Sequence, residues 1–131
     1  MRAKQPVGVL RQTLQVAGSD VADALAAHAL GLPEAWEDHP WEGDRVAKVG
    51  KKIFVFLAPD DAGHISVKLP RSGGYALSLP SASPTSYGLG RHGWVTLSLD
   101  DASLPDHNLL VEWIDESYRA VAPKRLAGRL V

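Results

Sequence analysis

The chain has 131 residues, no cysteine and a formal net charge of -1 at pH 7. A chain of this length buries a sizeable single core without staples, and the lack of thiols excludes a disulfide framework, a thiolate metal site and a catalytic cysteine. No apolar run approaches the roughly 20 residues of a membrane span, and MRAKQPVGVLRQ has no long apolar stretch of signal-peptide type. The expectation is a cytoplasmic protein with no membrane partner.

Residues 1–18 show no sustained period and are expected to form a tail or a weakly docked arm, with a single domain over 19–131. SDVADALAAHALGL reads as a helix. Ser19 or Asp20 caps it, Asp20 and Asp23 favour the positive end of its dipole, and Val21, Leu25, His28 and Leu32 recur at helical spacing before Gly31 and Pro33 stop it. RVAKVG and KIFVFLA are short β-rich runs joined by a turn at Gly50 and Lys51. After the turn signal PDDAG, HISVKL alternates, with Ile65, Val67 and Leu69 on one face and Ser66 and Lys68 on the other.

PRSGGYALSLPSASP fits either a short helix or an irregular segment. WVTLSLD alternates again, Val95, Leu97 and Leu99 against Trp94, Thr96 and Ser98. In SLPDHNLLVEWIDESYRAV, Ser103 and Asp106 stand at capping-box spacing and Pro105 falls in the expected first turn. The apolar stripe there is Leu109, Leu110, Trp113, Ile114, Tyr118 and Val121, and Pro123 ends or kinks the helix. Helix, antiparallel strands and helix in this order make an α+β fold with the helices on one sheet face.

The charges are sorted along the chain. Every charged side chain from Ser19 to Gly43 is acidic, as is every one from Asp100 to Glu116. Between these blocks Arg45, Lys48, Lys51, Lys52, Lys68, Arg71 and Arg91 outnumber Asp44, Asp60 and Asp61, and Arg119, Lys124, Arg125 and Arg129 form a second basic cluster. A near-neutral total is therefore compatible with a basic face.

LPEAWEDHPW, VGKKIFVFLA, ISVKLP, PTSYGLGRHGWVTL and SLPDHNLLVEWIDESYRAVAPKRL, in this order over about residues 20–128, resemble the YjbR/MmcQ family of small bacterial proteins. The resemblance implies a CyaY-like antiparallel sheet with N- and C-terminal helices packed on one face. It also implies a double-wing-like DNA-binding domain, and it carries no catalytic residue and no cofactor. Here Gly93 separates His92 from Trp94, where much of the family has a Lys-His-Trp-like run.

Four groups of residues are candidates for a site. In GLGRHGW, Gly88, Gly90 and Gly93 allow a phosphate nest that Arg91 completes, but the same glycines serve a turn that feeds a strand, and no P-loop spacing follows. A sheet face opposite Ile65, Val67 and Leu69 is expected to carry Lys48, Lys68, Trp94 and either Phe54 and Phe56 or their neighbours, the mixture a single-stranded platform uses. IFVFL is nevertheless apolar on both faces, as a covered strand is.

Glu34, Glu37, Asp38 and His39, with His28, make a weak metal or acid/base cluster, set against a loop that packs through Trp36, Pro40 and Trp41 with its acids in water. A Ser117, His92 and Asp115 triad lacks a nucleophile elbow, and core packing is the better account of that helix face.

The expected function is a noncatalytic binding domain with no metal, taking DNA, or failing that a nucleic acid or ligand of another kind, through Lys48, Lys51, Lys52, Lys68, Arg71, Gly90, Arg91, His92 and Trp94. The competing expectation is a module for another protein or a small ligand, with a concave apolar site near Trp36, Trp41 or Trp94.

Overall fold

The computed structural model describes residues 21–41, 44–57 and 63–130. The expected arm over 1–18, the Ser19 or Asp20 cap and most of the PDDAG turn lie outside them. Helix α1 occupies 21–30 and ends where the Gly31 N–H bonds the Ala27 and His28 carbonyls. Six strands follow: β1 (Ala35–Asp38), β2 (Arg45–Val49), β3 (Lys52–Leu57), β4 (His64–Lys68), β5 (Ala82–Pro84) and β6 (Trp94–Ser98). They form one antiparallel sheet in the order β1-β2-β3-β4-β6-β5. The segment PRSGGYALSLPSASP contains helix α2 (Gly73–Leu77) followed by β5. Helices α3 (His107–Val121) and α4 (Lys124–Ala127) close the fold.

The two-residue alternation of β4 and β6 is kept. Ile65 lies opposite Leu97 and Val67 opposite Val95, and all four are buried in one core with Leu25 and Ala29 of α1 and Leu110, Trp113, Ile114 and Tyr118 of α3. Such side chains each contribute roughly 1.5–3 kcal/mol when fully buried. Both long helices therefore cover the same sheet face, and His28 Nε2 meets Asp115 Oδ1 at 2.7 Å between them.

Strand β3 breaks the alternation. Ala47 pairs with Val55 but Lys48 pairs with Ile53, so Phe54 is an extra residue in a β-bulge. Phe54 and Val55 are both fully buried, whereas Phe56 turns to the opposite face. The bulge is why IFVFL looks apolar on both sides, and it selects Phe56 rather than Phe54 for the outer face.

Two local expectations are corrected. LPEAWEDHPW is in part a strand, β1 at the sheet edge, and its tryptophans are exposed, Trp36 by 44% and Trp41 by 57%. β1 is paired on one edge with β2, and the acids Glu34, Glu37 and Asp38 are engaged by Arg125, Arg45 and Lys48. At α3, Asp106 is the N-cap and accepts the Leu109 N–H at 3.0 Å, so Pro105 precedes the helix. Ser103 accepts the Ser81 N–H instead of closing a capping box.

Candidate functional site

The loop between β5 and β6 is built by its own backbone. The Leu89 N–H bonds Ser86 O, Gly90 N–H bonds Thr85 O, Arg91 N–H bonds Gly88 O and Gly93 N–H bonds Gly90 O. A nest presents free amides to an anion, and these four amides are engaged. Gly88 and Gly93 take positive φ at either end of a 3-10 turn over Leu89–His92. A Cβ on Gly90 would stand 2.8 Å from Pro84 Cβ, so glycine is required there for packing. The loop is a turn that feeds β6.

The outer sheet face carries Lys48, Lys68, Phe56 and Trp94, as the register demands. Phe56 and Trp94 pack edge to face at 5.3 Å, and Trp94 is only 8% exposed, which leaves its ring little free surface for stacking. Ser66, Thr96 and Thr85 link their hydroxyls beside it, at 2.8 Å and 3.0 Å. Lys48 is bound to Asp38 at 2.7 Å and lies over the Trp36 ring.

The antiparallel register brings the other cations to one end of the sheet. Lys51 and Lys52 form the β2–β3 turn, Lys68 pairs with Trp94 at the end of β4, Arg71 follows, and Arg91 and His92 precede β6. The C-terminal half of α3 ends at the same place, adding Arg119 beside Arg71, with Lys124 and Arg125 of α4 beyond. Lys51, Lys52, Arg71, Arg91, Arg119 and Lys124 are exposed, and none has an ion-pair partner among the described residues.

Of the acids found there, Glu34 and Glu116 are engaged, whereas Glu112 lines the Arg71 groove, is exposed and has no ion-pair partner among the described residues. Arg125 holds Glu34 through two bonds of 3.0 Å and 3.2 Å, and its hydrogen bond keeps the Glu34 carboxyl below its ordinary range. Glu116 accepts the N–H groups of Arg71 and Ser72 and the Ser72 hydroxyl. Two grooves open at this end. One, of about 500 Å³, runs between Arg71 and α3 past Trp113, and another, of about 360 Å³, runs between the Lys51–Lys52 turn and Pro123. Neither is lined by Trp36, Trp41 or Trp94.

The acid cluster expected around LPEAWEDHPW is dispersed. Glu37 binds Arg45 and His39, Asp38 binds Lys48, Glu34 binds Arg125, and His28 binds Asp115. Arg45 and Lys48 depress the Glu37 and Asp38 carboxyls respectively, chiefly by hydrogen bonding. Among the described residues no group of three or more His, Asp or Glu side chains is arranged to hold a metal ion. Ser117 is fully buried and bonded to backbone on both sides, and Asp115 faces His28, so the triad that can be written in sequence is not assembled in space.

The architecture is an α+β domain with one open antiparallel sheet, two helices on one face and a cationic end; among the described residues no helix is long and apolar enough to cross a membrane. The family model described as YjbR matches residues 30–120, and the chain belongs to the YjbR family. No curated protein matches it. The matched span runs from the last residue of α1 almost to the end of α3, so it contains the whole sheet and every candidate cation up to Arg119.

Proposed function

We propose that this YjbR-family domain is a noncatalytic nucleic-acid-binding module, DNA being the first partner to test, and that the cationic end of the sheet contacts phosphates. The observation that carries this reading is the convergence of Lys51, Lys52, Lys68, Arg71 and Arg91 on one end from three separate segments, with most of them lacking carboxylate partners among the described residues. Exposed cations of this kind attract a phosphate chain through counterion release, which makes affinity steeply salt-dependent.

The test is a titration of labelled single-stranded and duplex oligonucleotides at low and moderate salt. Binding is expected to weaken with salt, and the Lys51→Gln/Lys52→Gln pair is expected to reduce the slope of log K against log salt by about 1–2, roughly one for each phosphate no longer neutralised. Absence of binding at low salt removes nucleic acid as a direct partner.

The exposed Trp36 and Trp41 beside edge strand β1 favour a second reading, a protein-interaction module. It predicts a partner whose affinity is insensitive to salt and is lost on Trp36→Ala.

A further inference from the structure

Tyr87 stands out within the cationic end. It has φ of +61° and is followed by Gly88 at +79°, and the Leu89 N–H closes the turn on Ser86 O, the pattern of a type I′ turn. The first central position of such a turn suits Gly, Asn or Asp, and a bulky aromatic there is a genuine outlier. Its side chain nevertheless makes no hydrogen bond or ring stacking with any described residue, and the residue is fully exposed. Neither packing nor turn chemistry therefore accounts for a tyrosine at this position.

The neighbourhood is specific. A Cβ on Gly88 would lie 3.0 Å from the Arg91 guanidinium, so that group sits over the residue next to Tyr87. Arg91 and His92 are exposed on the same loop, and Lys68 is opposite Trp94 at its exit. The amides of Leu89, Gly90, Arg91 and Gly93 are engaged internally, which fixes the turn.

We infer that Tyr87 is the base-contacting residue of this domain and that the preferred ligand is a single strand, whose unstacked base lies on the Tyr87 ring while Arg91 holds an adjacent phosphate. The inference rests on the nucleic-acid reading above. A ring stacks only on an open base face, which a single strand offers and the interior of a duplex does not. The cations one to three strands away, at a strand spacing of about 4.8 Å, lie along the path that the backbone of such a strand would take.

The test is fluorescence anisotropy of a short labelled oligothymidylate and of a short mixed-sequence duplex, at low salt, with the wild-type chain, Tyr87→Ala and Tyr87→Phe, the fold of each variant checked by thermal melting. Tyr87→Ala is expected to weaken single-strand binding about tenfold while leaving duplex binding unchanged, and Tyr87→Phe to retain it, because stacking needs the ring and not the hydroxyl. If both oligonucleotides bind but Tyr87→Ala holds the single strand as tightly as wild type, this inference is overturned and the phosphate-binding reading stands. If neither oligonucleotide binds the wild-type chain, both fall.

Discussion

The hydroxyl of Ser117 accepts the backbone N–H of Lys68 at 2.8 Å and donates to the carbonyl of Phe54 at 2.5 Å, tying α3 to the neighbouring strands β3 and β4. The bulge at Phe54 ends the direct ladder after Val55 and Val67, and the serine supplies what the ladder no longer does. Ser117→Ala leaves a buried donor and a buried acceptor unpaired. The expected loss is about 2–4 kcal/mol from the pair, read as a lower urea midpoint, with faster exchange of the Lys68 amide. Unchanged stability would mean that β3 and β4 re-pair without the hydroxyl.

Tyr118 lies one residue on and donates to the Pro33 carbonyl at 2.6 Å, while its ring meets Phe54 edge on at 5.2 Å. Burial raises its hydroxyl pKa, so the ring stays neutral and the bond intact through the physiological range. Tyr118→Phe keeps the packing and removes the bond, and is expected to cost about 1 kcal/mol by denaturant titration, more if the Pro33 carbonyl finds no water.

Tyr87 offers a prediction of opposite sign. A left-handed backbone disfavours an L residue by roughly 1–2 kcal/mol, and Asn is among the residues that tolerate it best. Tyr87→Asn is expected to stabilise the domain by about 1 kcal/mol and raise Tm by about 4 °C. A fall in Tm would show that the ring packs on the folded chain.

Glu37 and Asp38 have carboxyl pKa values below their ordinary range, owing mainly to hydrogen bonds from Arg45 and Lys48. A group with a depressed folded pKa contributes stability that is complete above its unfolded value and lost as pH falls through the folded value. Stability is therefore expected to be flat above about pH 5 and to decline below about pH 4, where these groups begin to protonate. Both carboxylates are near the surface, so salt is expected to shrink the effect. In Arg45→Gln the decline is expected to be shallower, as followed by thermal melts across pH.

Glu116 couples fold and charge. Its carboxylate accepts three hydrogen bonds from Arg71 and Ser72 and sits among the cations of the sheet end. Glu116→Gln keeps one acceptor oxygen and removes the negative charge, so a stability loss of about 1–2 kcal/mol is expected together with tighter, more salt-dependent binding of oligonucleotides. Loss of stability without a change in binding would place the ligand elsewhere.

Several features were legible in the sequence because they depend on local periodicity. The alternation of HISVKL and WVTLSLD put Ile65, Val67, Val95 and Leu97 on one face, and the stripe from Leu109 to Val121 marked α3. The start of α3 was misread, because the spacing of Ser103 and Asp106 pointed to a capping box that the chain does not form, and Asp106 is itself the cap. Strand β1 was hidden because AWED is too short to show a period and is held by pairing with β2. The bulge at Phe54 was hidden because one inserted residue reads as an uninterrupted apolar run.

The sequence by itself determined that the chain is an α+β unit with two long helices, alternating strands and blocks of like charge, since these follow from side-chain order and the periods of helix and strand. Only the tertiary structure decided which charges meet. Antiparallel pairing folds Lys51, Lys68 and Arg91 to the same sheet end although 40 residues separate the first from the last, while it sets Glu37 and Asp38 against Arg45 and Lys48. Register is a property of paired strands, so the cationic end, the pairing of His28 with Asp115 and the bridge made by Ser117 exist only once the sheet and α3 are in place.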